Sequence, residues 1–206
     1  MGTVTSISLV RHGQVHNPKY VFYGRLPRFR LSEEGVRQAR SAGRVFKGRQ
    51  LSAVFSSPLL RARQTAGQIV AFHPRINLRF SRLLLEIKSP WDGKPAAMVD
   101  QLHGDIYNGS GPQFEQPRDV VIRIRCFFRR VLRENPGGHV VAVTHGDVIA
   151  FAVMWAGGAE VSARNKAGLH KLGLADGYPA TASITTFLYD SDSVDDRPQI
   201  QYIRTC

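Results

Sequence analysis

Near its start the chain reads ISLVRHGQVHN, an apolar and β-branched run that stops abruptly at an arginine, a histidine and a glycine. The run Val4–Val10 has strand propensity, and it ends on two ionisable groups, Arg11 and His12. The same pattern returns in VVAVTHGD, where a fully apolar strand ends in His145 and Gly146 opens the next helix. A third strand, SAVFSS, runs into SPLLRARQTA, where Ser57 is the expected helix cap, Pro58 the first helical residue, and Arg61 lies about one turn in.

Helical periodicity fills the gaps. LSEEGVRQARSAGRVFKG reads as a helix capped by Ser32, with Glu33 and Glu34 at its positive end, Gly48 at its stop, and Val36, Ala39, Gly43 and Phe46 near one face. Ala62, Ala66, Ile69 and Phe72 keep helical spacing in the next. RDVVIRIRCFFRRVLREN is amphipathic, with Val120, Ile124, Phe127 and Val131 inward and Arg118, Arg125, Arg129 and Arg133 on a wet face. ASITTFLYD and QIQYIR are the closing strands. Strands alternating with helices predict an α/β fold: one three-layer α/β/α domain spanning residues 1–206, with a mainly parallel central sheet. Residues 89–117, rich in Gly and Pro, read as a short insertion over the active site, whose Trp91, Tyr107 and Phe114 either roof a pocket or pack the flap itself.

In such sheets ligands sit beyond the carboxyl ends of the strands. Two helix N-termini, two arginines and two histidines at those ends suit a doubly charged phosphoryl group. Histidine adds chemistry to binding: neutral imidazole is a nucleophile near pH 7, and a phosphorylated ring nitrogen is labile enough to pass its group to water. Expelling an alkoxide needs a proton donor, and Glu86, in RLLLEIKSPWDG, is the candidate, a carboxyl whose apolar setting should raise its pKa.

Five ordered blocks, LVRHGQVHN, YGRLPRFRLSEEGVRQA, VFSSPLLRARQTA, LLLEI…WDG and VAVTHGDVI, together resemble the histidine phosphatase superfamily, also called phosphoglycerate mutase-like, from about residue 6 to residue 203. The resemblance implies that His12 becomes phosphorylated, that Arg11, Arg61 and His145 hold the phosphoryl oxygens, that Asn17 adds a hydrogen bond, and that Glu86 protonates the leaving group and then activates water. Gly24, Arg25 and Gly146 complete the implied substrate-binding set, while Arg25, Arg28 and Arg30 either meet the rest of an anionic substrate or form a solvated loop. No metal or other cofactor is implied. His12 and His16 stand four apart, but Gly13, Asn17 and Pro18 place them on a loop, where that spacing makes no metal pair. Gln14 stands where glutamate is frequent in the family, and Asp147 where a small residue is frequent.

Composition narrows the partners. The 206 residues carry a net charge of +12, mostly from arginine, which favours anionic ligands or reflects arginine spread over solvated faces. A small phosphorylated metabolite is the expected partner; nucleic acid is not, and a homodimer is compatible with the chain. No apolar run is long enough for a membrane span, and no secretory signal is visible. MGTVTS fits the loose myristoylation pattern but equally leads into the first strand. Cys126 and Cys206 show no metal-type spacing and suit a reducing cytoplasm. The expected activity is phosphomonoester hydrolysis. The alternatives are a mutase of the same family, which resembles a longer version between Glu86 and His145, and an inactive phospholigand-binding protein.

Overall fold

The computed structural model describes residues 4–102 and 105–205; residues 1–3 of the myristoylation-like MGTVTS, and Cys206, lie outside them. Six strands form one sheet: β1 (Thr5–Arg11), β2 (Ala53–Ser56), β3 (Leu78–Phe80), β4 (His139–Thr144), β5 (Ile184–Tyr189) and β6 (Gln199–Ile203), in the order β3-β2-β4-β1-β5-β6. β1, β2, β3 and β4 pair in parallel, while β5 runs antiparallel to both β1 and β6. The helices are α1 (Glu33–Phe46), α2 (Leu60–Val70), the short α3 (Ala96–Asp100), α4 (Pro117–Glu134) and α5 (Gly146–Ala156).

β4 shows why the sheet needs cover on both faces. Alternate side chains of its VVAV run face opposite layers: Val140 and Ala142 join a core with Ile7, Leu9, Phe127, Phe128 and Phe151, whereas Val141 and Val143 join Val10, Phe46, Ala62 and Ile69. Helices α4 and α5 thus close one side, and α1 and α2 the other. Burying a side chain of this size contributes about 1.5–3 kcal/mol each, so α5, with ten of its eleven residues buried, is anchored firmly at the sheet's centre.

Ser32 caps α1 as expected, accepting from the Gly35 N–H, and Glu33 and Glu34 occupy its first turn. The buried stripe differs by one position. Val36 is 39% exposed, and Gly35 takes its place because a Cβ there would lie 2.0 Å from the Gln14 carbonyl oxygen. Gly13 is equally tight against the Gly35 carbonyl, at 2.3 Å for an added Cβ. The loop after β1 and the first turn of α1 therefore touch backbone to backbone, which fixes where His12 sits.

The expected cap of α2 is corrected. α2 begins at Leu60 after Leu59, with no side-chain cap, and Ser57 and Pro58 precede it. The Ser57 hydroxyl lies 2.8 Å from His145 Nε2 and accepts from the Leu59 N–H at 3.4 Å, ahead of the helix. β3, unforeseen in the sequence, adds three residues to the edge beside β2. Within residues 89–117, α3 is short, and Pro95 bridges Val21 of the loop after β1. Among the described residues no helix is long and apolar enough to cross a membrane.

Candidate active site

Strand register brings the chemistry together. Arg11 pairs with Thr144, the His12 N–H bonds the Thr144 carbonyl at 3.1 Å, and the Ser57 N–H bonds the Val143 carbonyl at 2.8 Å. His12, Ser57 and His145 thus leave three neighbouring parallel strands at one level. Their imidazoles meet: the rings of His12 and His145 lie 5.2 Å apart.

Arg61, on the first turn of α2, is wholly buried behind them. Its Nε donates to His12 Nε2 at 3.1 Å, and its Nη2 donates to the Gly24 carbonyl at 2.7 Å and lies 3.2 Å from His145 Nδ1. A guanidinium only donates, so both ring atoms must accept from it. The remaining nitrogens then carry the protons: His12 Nδ1 donates to the Gly13 carbonyl at 2.8 Å, and His145 Nε2 donates to Ser57 Oγ at 2.8 Å. Two neutral tautomers follow from one cation.

Burial, then the charges of Arg61 and Arg11, hold the His12 pKa well below its ordinary value, partly opposed by the bond to Gly13. Burial, then Arg61 and His12, do the same for His145. Both rings are neutral at pH 7.

Glu86 faces this group from the segment after β3. Its Oε2 lies 3.6 Å from His145 Nδ1 and 3.9 Å from Arg61 Nη2, while Oε1 accepts from the Ile87 N–H at 2.9 Å. Burial raises its pKa first; Arg61 opposes this and Asp147 adds to it.

His12, Arg11, Asn17, Gly24, Glu86 and Gly146 all line one cavity of about 230 Å³. Arg11 donates from Nη1 to the Pro179 carbonyl at 2.6 Å and lies over the Tyr178 ring. Two buried donors, Arg11 Nε and Arg61 Nη1, have no hydrogen-bond partner among the described residues. Buried donors are normally satisfied, so each has spare capacity for an acceptor. Asn17 closes its own turn, its amide donating to the Val21 carbonyl at 2.8 Å. Gly24, at φ +30°, passes so close to Asp92 that a Cβ would lie 1.8 Å from the carboxylate.

The expected outer residues divide. Arg25 does not face the cavity: its Nε holds the Glu86 carbonyl at 2.6 Å and its Nη2 pairs with Glu115 at 2.7 Å. Glu115 also binds Arg123 at 2.9 Å and the Lys88 N–H at 2.8 Å, and Arg123 holds the Leu83 carbonyl at 2.6 Å. Glu115 is therefore the hub that fixes the strand-end segment carrying Glu86. Arg28, Arg30 and His16 lie off the cavity wall. Trp91 and Phe114 do too; Trp91 packs on the core and donates to the Ile106 carbonyl, and Tyr20, Phe22 and Tyr23 form the wall instead. Sequence reasoning missed Ser57 as the partner of His145; it marked Asp147 as a departure from the family pattern but missed its partners, Tyr107 and Tyr178, which donate to its carboxylate at the cavity's edge.

His12, His145 and Glu86 offer ligand atoms within 4.8 Å of one another, a spacing a metal ion would accept. Both imidazole lone pairs, however, already face a guanidinium.

Residues 7–184 match the family described as histidine phosphatase superfamily, branch 1. The chain belongs to that superfamily. The chain is 32% identical over 148 residues to the uncharacterized protein Rv0525 of Mycobacterium tuberculosis, covering 68% of this chain and 73% of that protein. It is 38% identical over 137 residues to the fructose-2,6-bisphosphatase TIGAR of Xenopus tropicalis, covering 62% of this chain and 50% of that one. Among solved structures, the mycobacterial glucosyl-3-phosphoglycerate phosphatase Rv2419c shares the fold, with a TM-score of 0.75 at 24% identity over 97% of this chain and 96% of its own.

Proposed function

We propose that this histidine phosphatase hydrolyses small phosphate monoesters through a covalent phosphohistidine at His12, without a metal. One observation carries the reading: His12 Nδ1 is committed to the Gly13 carbonyl, which leaves Nε2 as a neutral lone pair between Arg61 and His145.

In the first step the Nε2 lone pair attacks phosphorus and the P–O ester bond breaks. The Glu86 carboxyl gives its proton to the departing oxygen. Arg11, Arg61 and the N-terminus of α5 spread the charge that develops on the phosphoryl oxygens, His145 joins them by turning its Nε2–H from Ser57 Oγ to a phosphoryl oxygen, and Asn17 adds a donor at the cavity wall. In the second step the Glu86 carboxylate takes a proton from water as that water's oxygen attacks phosphorus. The P–N bond breaks, His12 regains its lone pair, and inorganic phosphate leaves. The substrate is a small phosphorylated metabolite, and the setting is the cytoplasm.

The test is phosphate release from a generic aryl phosphate in the presence of EDTA. Release is expected, and His12→Ala should abolish it; full activity in that variant would remove His12 from the role. If 3-phosphoglycerate is isomerised faster than phosphate is released from it, the activity is that of a mutase.

A further inference from the structure

Asp147, the second residue of α5, borders two adjoining hollows: the catalytic cavity, and a recess of about 350 Å³ that shares Phe22 and Tyr178 with it. Its Oδ2 accepts from the Tyr107 hydroxyl at 2.5 Å and its Oδ1 from the Tyr178 hydroxyl at 2.7 Å, while Lys166 Nζ lies 3.3 Å from both oxygens. Burial and this carboxylate push both phenols well above their ordinary pKa, so they remain donors. Three converging donors lock the side chain in place. With Lys166 spanning both oxygens, these make two contacts on each, the usual acceptor capacity of a carboxylate. Nothing in the phosphoryl chemistry uses this group.

Lys166 lines the recess but not the catalytic cavity, and its ammonium sits over the rings of Tyr107 and Phe151. The space next to the reacting phosphate is therefore bordered by two carboxyl groups, Glu86 and Asp147. The far wall of the recess, Phe22, Val99 and Ile106, is apolar.

Resting on the phosphatase reading above, we infer that Asp147 selects the leaving group: the substrates are phosphomonoesters of neutral alcohols, and a carboxylate or second phosphate close to the ester oxygen is turned away. The carbon skeleton of the leaving group packs on the apolar wall. Lys166 pairs with Asp147 from the recess side, so an anion on the cavity side would meet the carboxylate end of that ion pair with little water to screen it.

Glycerol 3-phosphate and 3-phosphoglycerate share a skeleton and differ by a hydroxymethyl against a carboxylate, so they test this directly. The wild-type kcat/KM should favour glycerol 3-phosphate by roughly ten- to a hundredfold, the size of a like-charge contact in a partly buried site. Asp147→Asn, which keeps the shape, should bring that ratio at least about tenfold closer to one, mainly through a gain on 3-phosphoglycerate. As a second measurement needing no variant, glycerol 3-phosphate should compete more strongly than 3-phosphoglycerate against aryl phosphate hydrolysis by the wild type. A wild-type ratio near one, or a folded variant with an unchanged ratio, overturns the assignment. Failure to hydrolyse the aryl phosphate at all would instead sink the phosphatase reading beneath it.

Discussion

Arg61 donates from Nε to His12 Nε2 at 3.1 Å, so the buried cation rests on the very lone pair proposed to attack phosphorus. The arrangement keeps the imidazole neutral, because burial and the adjacent guanidinium both oppose a second proton on the ring. It also defines what a substrate must do. A dianion offers Arg61 a stronger partner than a neutral ring, and as the guanidinium turns to a phosphoryl oxygen the lone pair is uncovered. Binding and activation of the nucleophile become one event.

Glu86→Gln should separate the two halves of the chemistry. A good leaving group such as 4-nitrophenolate needs no proton, so its release should slow less than about tenfold, whereas an alkyl phosphate should slow by about 10²–10⁴. The pH profile gives the sign independently. With its pKa raised by burial, Glu86 stays protonated above the usual carboxyl range and loses its proton as pH climbs further, so alkyl phosphate turnover should fall on the alkaline side. That limb should vanish in the variant. Equal losses for both substrates would point to another acid.

Glu115 is predicted to matter for stability and, through Glu86, for catalysis. It is the shared counter-ion of Arg25 and Arg123, which are themselves the clamps on the Glu86 and Leu83 carbonyls. Removing it in Glu115→Ala leaves two largely buried cations without their partner and should cost roughly 2–4 kcal/mol, read as a lower denaturation midpoint. The surviving folded enzyme should lose more activity on alkyl than on aryl phosphates, because the acid is no longer held in place. A variant as stable as the wild type would show that the network adds nothing.

Stability should fall in mild acid. His12, His145 and His139 all have folded pKa values below the ordinary histidine value, and that of His139 is lowered to about 4 by burial, with Arg49 and His73 adding to it. Between about pH 6.5 and these lowered values the unfolded chain holds more protons than the folded one, so stability rises with pH across this window and is lost as pH drops through it. Each excess proton is worth about 1.4 kcal/mol per pH unit. Denaturant midpoints at pH 7.5 and pH 5 should differ accordingly. His139→Asn, at the sheet end remote from the cavity, should shrink the difference, and an unchanged slope would take His139 out of it.

Much of this site was legible in the sequence because its chemistry sits where strands end. Arg11, His12 and His145 interrupt apolar runs, and parallel pairing sets them level once β1 and β4 are neighbours. What escaped was any choice between partners distant in the chain. Ser57–Pro58 has the look of a helix start, yet the hydroxyl answers to His145, 88 residues away, and α2 begins further on. Arg25 reads as a substrate arginine until Glu115, 90 residues later, claims it. Asp147 breaks the family pattern visibly, but its tyrosine partners come from the insertion and from the loop before β5. β3 is three residues long and largely exposed, too short for an alternation to register.

The most direct test of the central claim is to quench the enzyme during turnover of a phosphate-labelled aryl ester and locate the label. The account predicts a phosphoryl group that is stable to alkali and lost in acid, mapping to the peptide that contains His12 and absent from His12→Ala. Sustained turnover with the label on another residue, or with His12 never phosphorylated, would contradict it.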